Sequence, residues 1–309
     1  MTALLTNSDP VLAAFAEEIG ADGPIAIEGK RTRWDIGGAL HDSTRVLRAP
    51  AGVVEYVPEE MTVTVRAGTP VNELQAVLAA DGQRTGLPER GGTVGGAIAV
   101  GHNDHRMLGR GAVRTSVLQV RYVSAEGRLV SGGGPTVKNV TGFDLPRLMA
   151  GSLGTLGCLA EFILRTNPVP AVSQWYCASD ADPFLAYRAV LAPSAVLWDG
   201  AQTWAQLEGH GVDVASQAQA LRAVGSFTEA DAPAAPTGHR WSLRPSDLAS
   251  IDGYETGAYT AVVGVGTVFA EKAQPQRRID PAIAIVAQRV KDQYDPLGRL
   301  NPGRQVGGW

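Results

Sequence analysis

Apolar residues first fall at helical spacing after Asp9-Pro10. There an acceptor side chain precedes a proline whose fixed φ suits a first helical turn, and Val11 to Ile19 supplies the buried stripe. Gly20 stops that helix. The pattern then changes to short β-rich runs, Ile25 to Ile27, Val53 to Val57 and Thr62 to Arg66, the last alternating Thr62 and Thr64 with Val63 and Val65. Thr69 followed by Pro70 predicts the cap and first position of a second helix running through Leu74, Val77 and Leu78 to Gly82. Further along, Val117 to Ser124 and Leu159 to Arg165 read as strands, Tyr259 to Ala270 as a buried strand, and Asp280 to Lys291 as a helix. Strands and helices in this mixture predict an α+β fold.

Asn167-Pro168-Val169-Pro170 is the strongest break in the chain, because two prolines cannot continue a central strand. It divides the sequence into residues 1–168 and a smaller α+β domain, 169–309, each long enough to bury a core. A polar, Ala/Pro-rich stretch lies near Ala230 to Gly238, and no internal repeat is present.

Charge and cysteine content narrow the chemistry. Lys and Arg total 27 against 31 Asp and Glu, with no basic run of the kind that follows a phosphate backbone, so no nucleic-acid partner is expected. Cys158 and Cys177 are the two cysteines, too few for a four-thiolate iron–sulfur cluster, so redox chemistry must be organic or borrowed. The first segment lacks a basic start and carries Asp9, Glu17 and Glu18, unlike a secretory signal, which points to the cytoplasm. Tyr259 to Ala270 is short and broken by Gly264 and Gly266, so direct membrane insertion is not expected, and any membrane contact would be peripheral, through partners.

Between Gly91 and Gly157 lie 15 of the 37 glycines, which marks a region where backbone must approach something closely. Its densest run, Gly91-Gly92-Thr93-Val94-Gly95-Gly96-Ala97, can aim successive N–H groups at a phosphate or flavin, or can be a turn in a tightly packed sheet. It lacks the G-x-G-x-x-G spacing of a Rossmann dinucleotide site.

Several motifs in order carry a resemblance: Pro88 to Gly101, then Gly109-Arg110-Gly111-Ala112-Val113-Arg114, Val137 to Leu145, Gly151-Ser152-Leu153-Gly154-Thr155-Leu156-Gly157, Gly264-Val265-Gly266-Thr267-Val268 and Asp295 to Gly303. Together they resemble the FAD-binding subunits of bacterial glycolate oxidases, of the vanillyl-alcohol oxidase/p-cresol methylhydroxylase (PCMH) type. The resemblance implies a two-subdomain PCMH-type FAD-binding domain followed by a substrate or cap domain, with the Asn301-Pro302-Gly303 tail returning to the first. It places FAD against Gly29, Lys30, Arg31 and Thr32, against Thr93, Val94, Gly95, Gly96, Ala97 and Gly101, and near Arg110, Gly111, Val113, Gly154, Thr155, Gly157 and Asn301. It also implies oxidation of a small 2-hydroxy acid in a complex with a larger homologous flavin subunit and an iron–sulfur subunit. One departure stands out: Glu28-Gly29-Lys30-Arg31-Thr32 keeps one glycine where the family has several, and sets a carboxylate beside the expected pyrophosphate.

Such a reaction needs a hydride acceptor, a base and a cation for the substrate carboxylate. His102, His105 and Arg110 are candidates, with Arg106, Arg114, Arg240 and Arg244 as further cations. The bland alternative for the two histidines is a solvated loop, and their spacing completes no metal site. Lys138 and Asn139 precede a turn that Asp144 can cap, and Cys158 sits in an apolar run as a small buried side chain. A stand-alone alcohol or sugar oxidase and a non-catalytic scaffold are the competing functions.

Overall fold

The computed structural model describes residues 9–135, 144–275 and 279–305. The run Val137 to Phe143, with Lys138 and Asn139, lies outside them. The described chain divides into two compact units, one of residues 9–104, 112–168 and 279–305, the other of 105–111 and 169–275.

The first unit opens with α1 (Pro10–Ile19), whose leading N–H groups are met by Asp9: its carboxylate accepts from Val11 at 3.0 Å and Leu12 at 3.2 Å. Leu12, Phe15, Ala16 and Ile19 turn inward to pack with Ile25, Val123, Ala160 and Leu300. β1 (Ile25–Glu28) and β2 (Arg45–Arg48) form a parallel pair, and Leu300 bridges Ile25, also in parallel. β3 (Val53–Val57) and β4 (Thr62–Arg66) begin a five-stranded sheet that continues through Cys158–Arg165, Val117–Val123 and Leu129–Gly133, antiparallel throughout. The helices α2 (Val71–Ala79) and α3 (Val94–Val100) bury Leu74, Leu78, Val94, Ala97 and Ile98 against Val63, Val65, Val120, Phe162 and Leu164 of that sheet.

Buried charge in this unit is paired in a line. Arg66 meets Asp9 at 2.6 Å and Glu161 at 3.0 Å, and Arg121 meets the other oxygen of Glu161 at 3.0 Å. Asp9 thus ties the start of α1 to the sheet as well as capping it.

The second unit is built, among the described residues, on a seven-stranded antiparallel sheet in the order Thr228–Ala230, Val172–Ala178, Thr203–Gly209, Ala195–Trp198, Tyr259–Val262, Thr267–Ala270 and His239–Ser242. Helices Pro183–Ala189 and Gly211–Arg222 bury Ala186, Val214, Ala218 and Leu221 with Val196, Ala205 and Leu207 of this sheet.

Three sequence expectations are corrected. Tyr259 to Ala270 is a hairpin of two strands, because Gly264 and Gly266 take φ of +82° and +83° and reverse the chain. Thr69 caps no helix: its hydroxyl accepts from Gly52 N at 2.9 Å and donates to Gly52 O at 3.1 Å, and α2 begins at Val71, ending at Ala79 rather than Gly82. The glycine run is not simply a turn in a sheet either, since Gly91 to Thr93 lead into the helix Val94–Val100, with the Thr93 hydroxyl accepting from Gly96 N at 3.2 Å. The two glycines follow a strong N-cap and so continue a short helix that packing supports.

The C-terminal segment closes the first unit. Helix Pro281–Tyr294, capped by Asp280, ends at Asp295, whose buried carboxylate accepts from Arg299 N at 3.0 Å, Leu300 N at 2.7 Å and Lys291 Nζ. Arg299, 4% exposed, donates to the carbonyls of Ile19, Gly20, Asp22, Gly23 and Ala125 at 2.8–3.2 Å. These include carbonyls at the end of α1 that no helical N–H reaches. Replacing Arg299 by Ala should strand most of these acceptors, Ile19 O keeping its bond from Arg45 at 2.8 Å, and lower the unfolding free energy of the first unit by about 3 kcal/mol or more, read from urea titration. Burial pushes the Cys158 thiol up to about 12. Folded protein at pH 8 should therefore leave Cys158 unalkylated by iodoacetamide until denaturant is added, whereas the partly exposed Cys177 should react first, as peptide mass spectrometry would show.

Candidate functional site

Where β1 ends, Gly29 lies against Thr93 so closely that a Cβ there would overlap the threonine hydroxyl. The first loop therefore meets the start of α3 with the bare backbone of Gly29 against the Thr93 side chain. Beside this contact lie two adjoining cavities, open to solvent, that share Ile27, Gly29, Thr93, Gly96, Ala99, Leu153 and Asn301. Asn301 is held at φ +45°, with its N–H on Ile25 O at 2.8 Å and its amide nitrogen on Leu153 O at 2.9 Å. The two glycines of α3 differ. A Cβ on Gly95 would stand 2.8 Å from Ala67 Cβ and 2.9 Å from Ala67 O, whereas one on Gly96 would meet the Thr93 hydroxyl at 3.2 Å and no other atom within 4 Å. Gly95, which lines the smaller cavity, is closed behind by packing against the end of β4, and Gly96, which lines both cavities, is the less crowded of the two.

Charge gathers at the larger cavity, which Lys30, Arg31, Arg33 and Arg304 line together with Trp34. Glu28, which lines the smaller cavity, is neutralised by Arg31 at 2.6 Å and Arg48 at 3.0 Å. The Arg31 hydrogen bond, against the opposing effect of burial and with help from Arg48, holds the Glu28 carboxyl below its ordinary range. The carboxylate that the sequence places beside a phosphate site is therefore already matched by cations. Arg31, itself at φ +55°, and Arg304 both lie over the Trp34 ring, at 4.9 and 5.1 Å from its centroid. Arg304 also donates to Ile36 O at 2.9 Å and to Gly38 O, which ties the first loop to the C-terminal segment. Arg33 Nη1 donates to Thr32 Oγ1 at 3.2 Å and to Gly91 O at 3.1 Å, while its Nη2 is buried with no hydrogen-bond partner among the described residues. An apolar strip of Ile27, Ala99, Val100 and Leu153 opposite a cationic rim suits a ligand that has both a ring system and an anionic linker.

The remaining sequence candidates scatter. Val94, Ala97 and Val113 put their side chains into the hydrophobic core. Gly101 ends α3 at φ +69°, and Gly157, which lines the smaller cavity, could not carry a Cβ without running into the Tyr122 ring, so both have packing reasons to be glycine. Gly154, at φ +68°, packs directly on the Asn301 amide, which a Cβ there would overlap, and both line the smaller cavity, while Thr155 donates to Ser152 O at 2.7 Å. His102 belongs to the first unit, His105, Arg110 and Gly111 to the second, and none of the four lines either cavity. Arg114 and Arg244 are exposed, and Arg240 donates to Thr267 across its own strand pair at 3.3 Å. Asp144 caps Leu145–Met149 through Arg147 N at 3.2 Å.

Sequence reasoning missed Arg33, Trp34, Leu153 and Arg304 as lining residues. Arg33 was in reach, one position beyond the loop singled out, whereas the approach of Arg304 to Trp34 depends on a chain return that local pattern cannot show.

Residues 4–133 match the family described as FAD binding domain. Glycolate oxidase subunit GlcE of Escherichia coli (strain K12) is 35% identical over 170 residues, which is 54% of this chain and 49% of that protein. A D-lactate dehydrogenase of Anaerostipes hadrus is 31% identical over 156 residues, 48% of this chain and 32% of that one. The chain thus matches half or less of the length of these relatives. Among solved structures, an alkyldihydroxyacetonephosphate synthase superposes with a TM-score of 0.64 at 13% identity, covering 94% of this chain and 73% of that one, which shows a shared fold. The segment 4–133, which carries the first loop and α3, is thus similar to the FAD-binding domain family.

Proposed function

We propose that this chain is the FAD-binding subunit of a 2-hydroxy-acid oxidoreductase of the glycolate oxidase kind. The observation that carries the reading is the pair of cavities at Gly29, Thr93 and Gly96, inside a segment matching an FAD-binding family, in a chain similar to a glycolate oxidase subunit. The residues fit the cofactor: Gly96 leaves space where a side chain would project, and Arg33 holds a buried donor without a partner. Bound FAD would supply the hydride acceptor. The chain's own part is to hold it, with Gly29, Lys30, Arg31, Thr32, Thr93 and Gly96 at the linker and Gly154, Thr155 and Asn301 farther along. Attachment is non-covalent in this reading, since Glu28 to Ile36 has no His or Cys.

The substrate side is assigned to the second unit, within residues 169–275, together with a partner. Glu28, the carboxylate lining the smaller cavity, is engaged by two arginines and is a poor proton acceptor for a substrate hydroxyl. A larger homologous flavin subunit and an iron–sulfur subunit would complete the site and carry electrons onward, which agrees with the name of the GlcE relative as a subunit. Among the described residues no helix is long and apolar enough to cross a membrane, and the reading places the chain in the cytoplasm, at a membrane only through partners.

The isolated chain should bind FAD yet oxidise glycolate or D-lactate far below ordinary enzyme rates, on the order of 1–1000 per second, and affinity capture from native extract should bring down a second flavoprotein and an iron–sulfur protein. Ordinary turnover by the chain alone would replace this reading with the stand-alone oxidase. The two α3 glycines should separate folding from binding. Gly96→Val should keep the circular dichroism and melting of the parent while losing FAD. Gly95→Val should cost roughly 1–3 kcal/mol of stability by overpacking against Ala67. Equal behaviour of the two variants in both assays would contradict the assignment of the cavity.

A further inference from the structure

Of the four cations lining the larger cavity, three have visible occupations or open solvation. Arg31 is engaged by Glu28 and Trp34, Arg304 by Ile36 O, Gly38 O and Trp34, and Lys30 is exposed. Arg33 differs. It reaches from the first loop to the carbonyl of Gly91, and Gly92 must be glycine for it to do so, since a Cβ there would stand 2.7 Å from Arg33 Nη1 and 2.6 Å from Thr32 Oγ1. That bridge uses Nη1 and leaves Nη2 buried and unmatched. A guanidinium donor held out of water with no acceptor is costly, and native structures retain such donors rarely. Burial, and the like charge of Arg90, both act to push the Arg33 pKa down, so the surroundings are short of negative charge.

We infer that Arg33 is a ligand of the flavin dinucleotide's diphosphate, its Nη2 donating to a phosphoryl oxygen while Nη1 locks the first loop to Gly91. A planar guanidinium can serve both directions at once, which a lysine ammonium cannot do with the same geometry. In this chain a side chain does what consecutive glycine N–H groups would do in a loop without Lys30 and Arg31. The same contact explains how Glu28 is tolerated: it is consumed by Arg31 and Arg48, and Arg33 stays available to the ligand. This inference rests on the FAD reading above.

The test uses the full chain, FAD, and the variants Arg33→Met and Arg33→Lys. Arg33→Met should weaken FAD binding roughly tenfold to a hundredfold, the loss expected of one charge-assisted hydrogen bond, as read by flavin fluorescence titration. Arg33→Lys should recover part of that loss. Phosphorus NMR of bound FAD supplies the readout that a purely structural role would not move: in Arg33→Lys at saturating FAD, one of the two phosphorus resonances should shift from its position in the parent complex. Parent-like affinity in Arg33→Met, or unchanged phosphorus resonances in Arg33→Lys, overturns the inference. If Arg33→Met fails to fold, the resonances of Arg33→Lys decide alone. A parent chain that takes up no FAD at all defeats the cofactor reading and this inference together, whereas failure confined to the variants defeats only the role of Arg33.

Discussion

Arg299 gathers five backbone carbonyls from the end of α1, the turn that follows it and the Ala125 turn, and Asp295 fixes the backbone from which Arg299 projects. Much of the first unit's geometry depends on that clasp. It lays Leu300 beside Ile25 as an added parallel bridge, seals the small core under α1, and delivers Asn301 to the cavity in a left-handed conformation. A guanidinium offers five N–H donors in one plane, so a single side chain can satisfy carbonyls from separate segments. Few other residues could end a helix and anchor a chain return at once.

The clasp and the cavity are linked through the same short segment. Three residues after Asn301, Arg304 reaches the first loop at Ile36 and Gly38 and covers one side of Trp34, with Arg31 also over the ring. The first loop is thus ordered from two directions, by the C-terminal segment and by Arg33 on Gly91. An electropositive loop held in place before a ligand arrives loses less entropy on binding than a flexible one. That arrangement offsets the scarcity of glycine in Glu28 to Thr32.

The α+β class, α1 with its Asp9 cap, the helix at the C-terminal end and most strands of the first sheet were legible in sequence, because each is announced by local chemistry: a cap, a proline, a period of two. Thr69 misled because a threonine before a proline looks like a cap whether its hydroxyl meets a helix N–H or, as here, Gly52. Tyr259 to Ala270 misled because apolar residues flank the turning glycines, so the run is continuous in hydropathy and reversed in space. The site was half legible. Glycine density marked a segment that lines the cavities, yet did not separate Gly95, closed behind by Ala67, from the less crowded Gly96, since that distinction lies in which atoms pack behind each. Arg33 and Arg304 could not be ranked above other arginines, because their value comes from burial and from residues far away in sequence.

The central claim is that FAD lies in the first unit, against the first loop and α3. Amide hydrogen exchange with and without FAD tests it most directly, since exchange slows where backbone is covered or locked. The account predicts added protection in peptides spanning residues 29–36, 91–100 and 151–157, and in the peptide containing Asn301. Protection confined to residues 169–275, or none at saturating FAD, would contradict it.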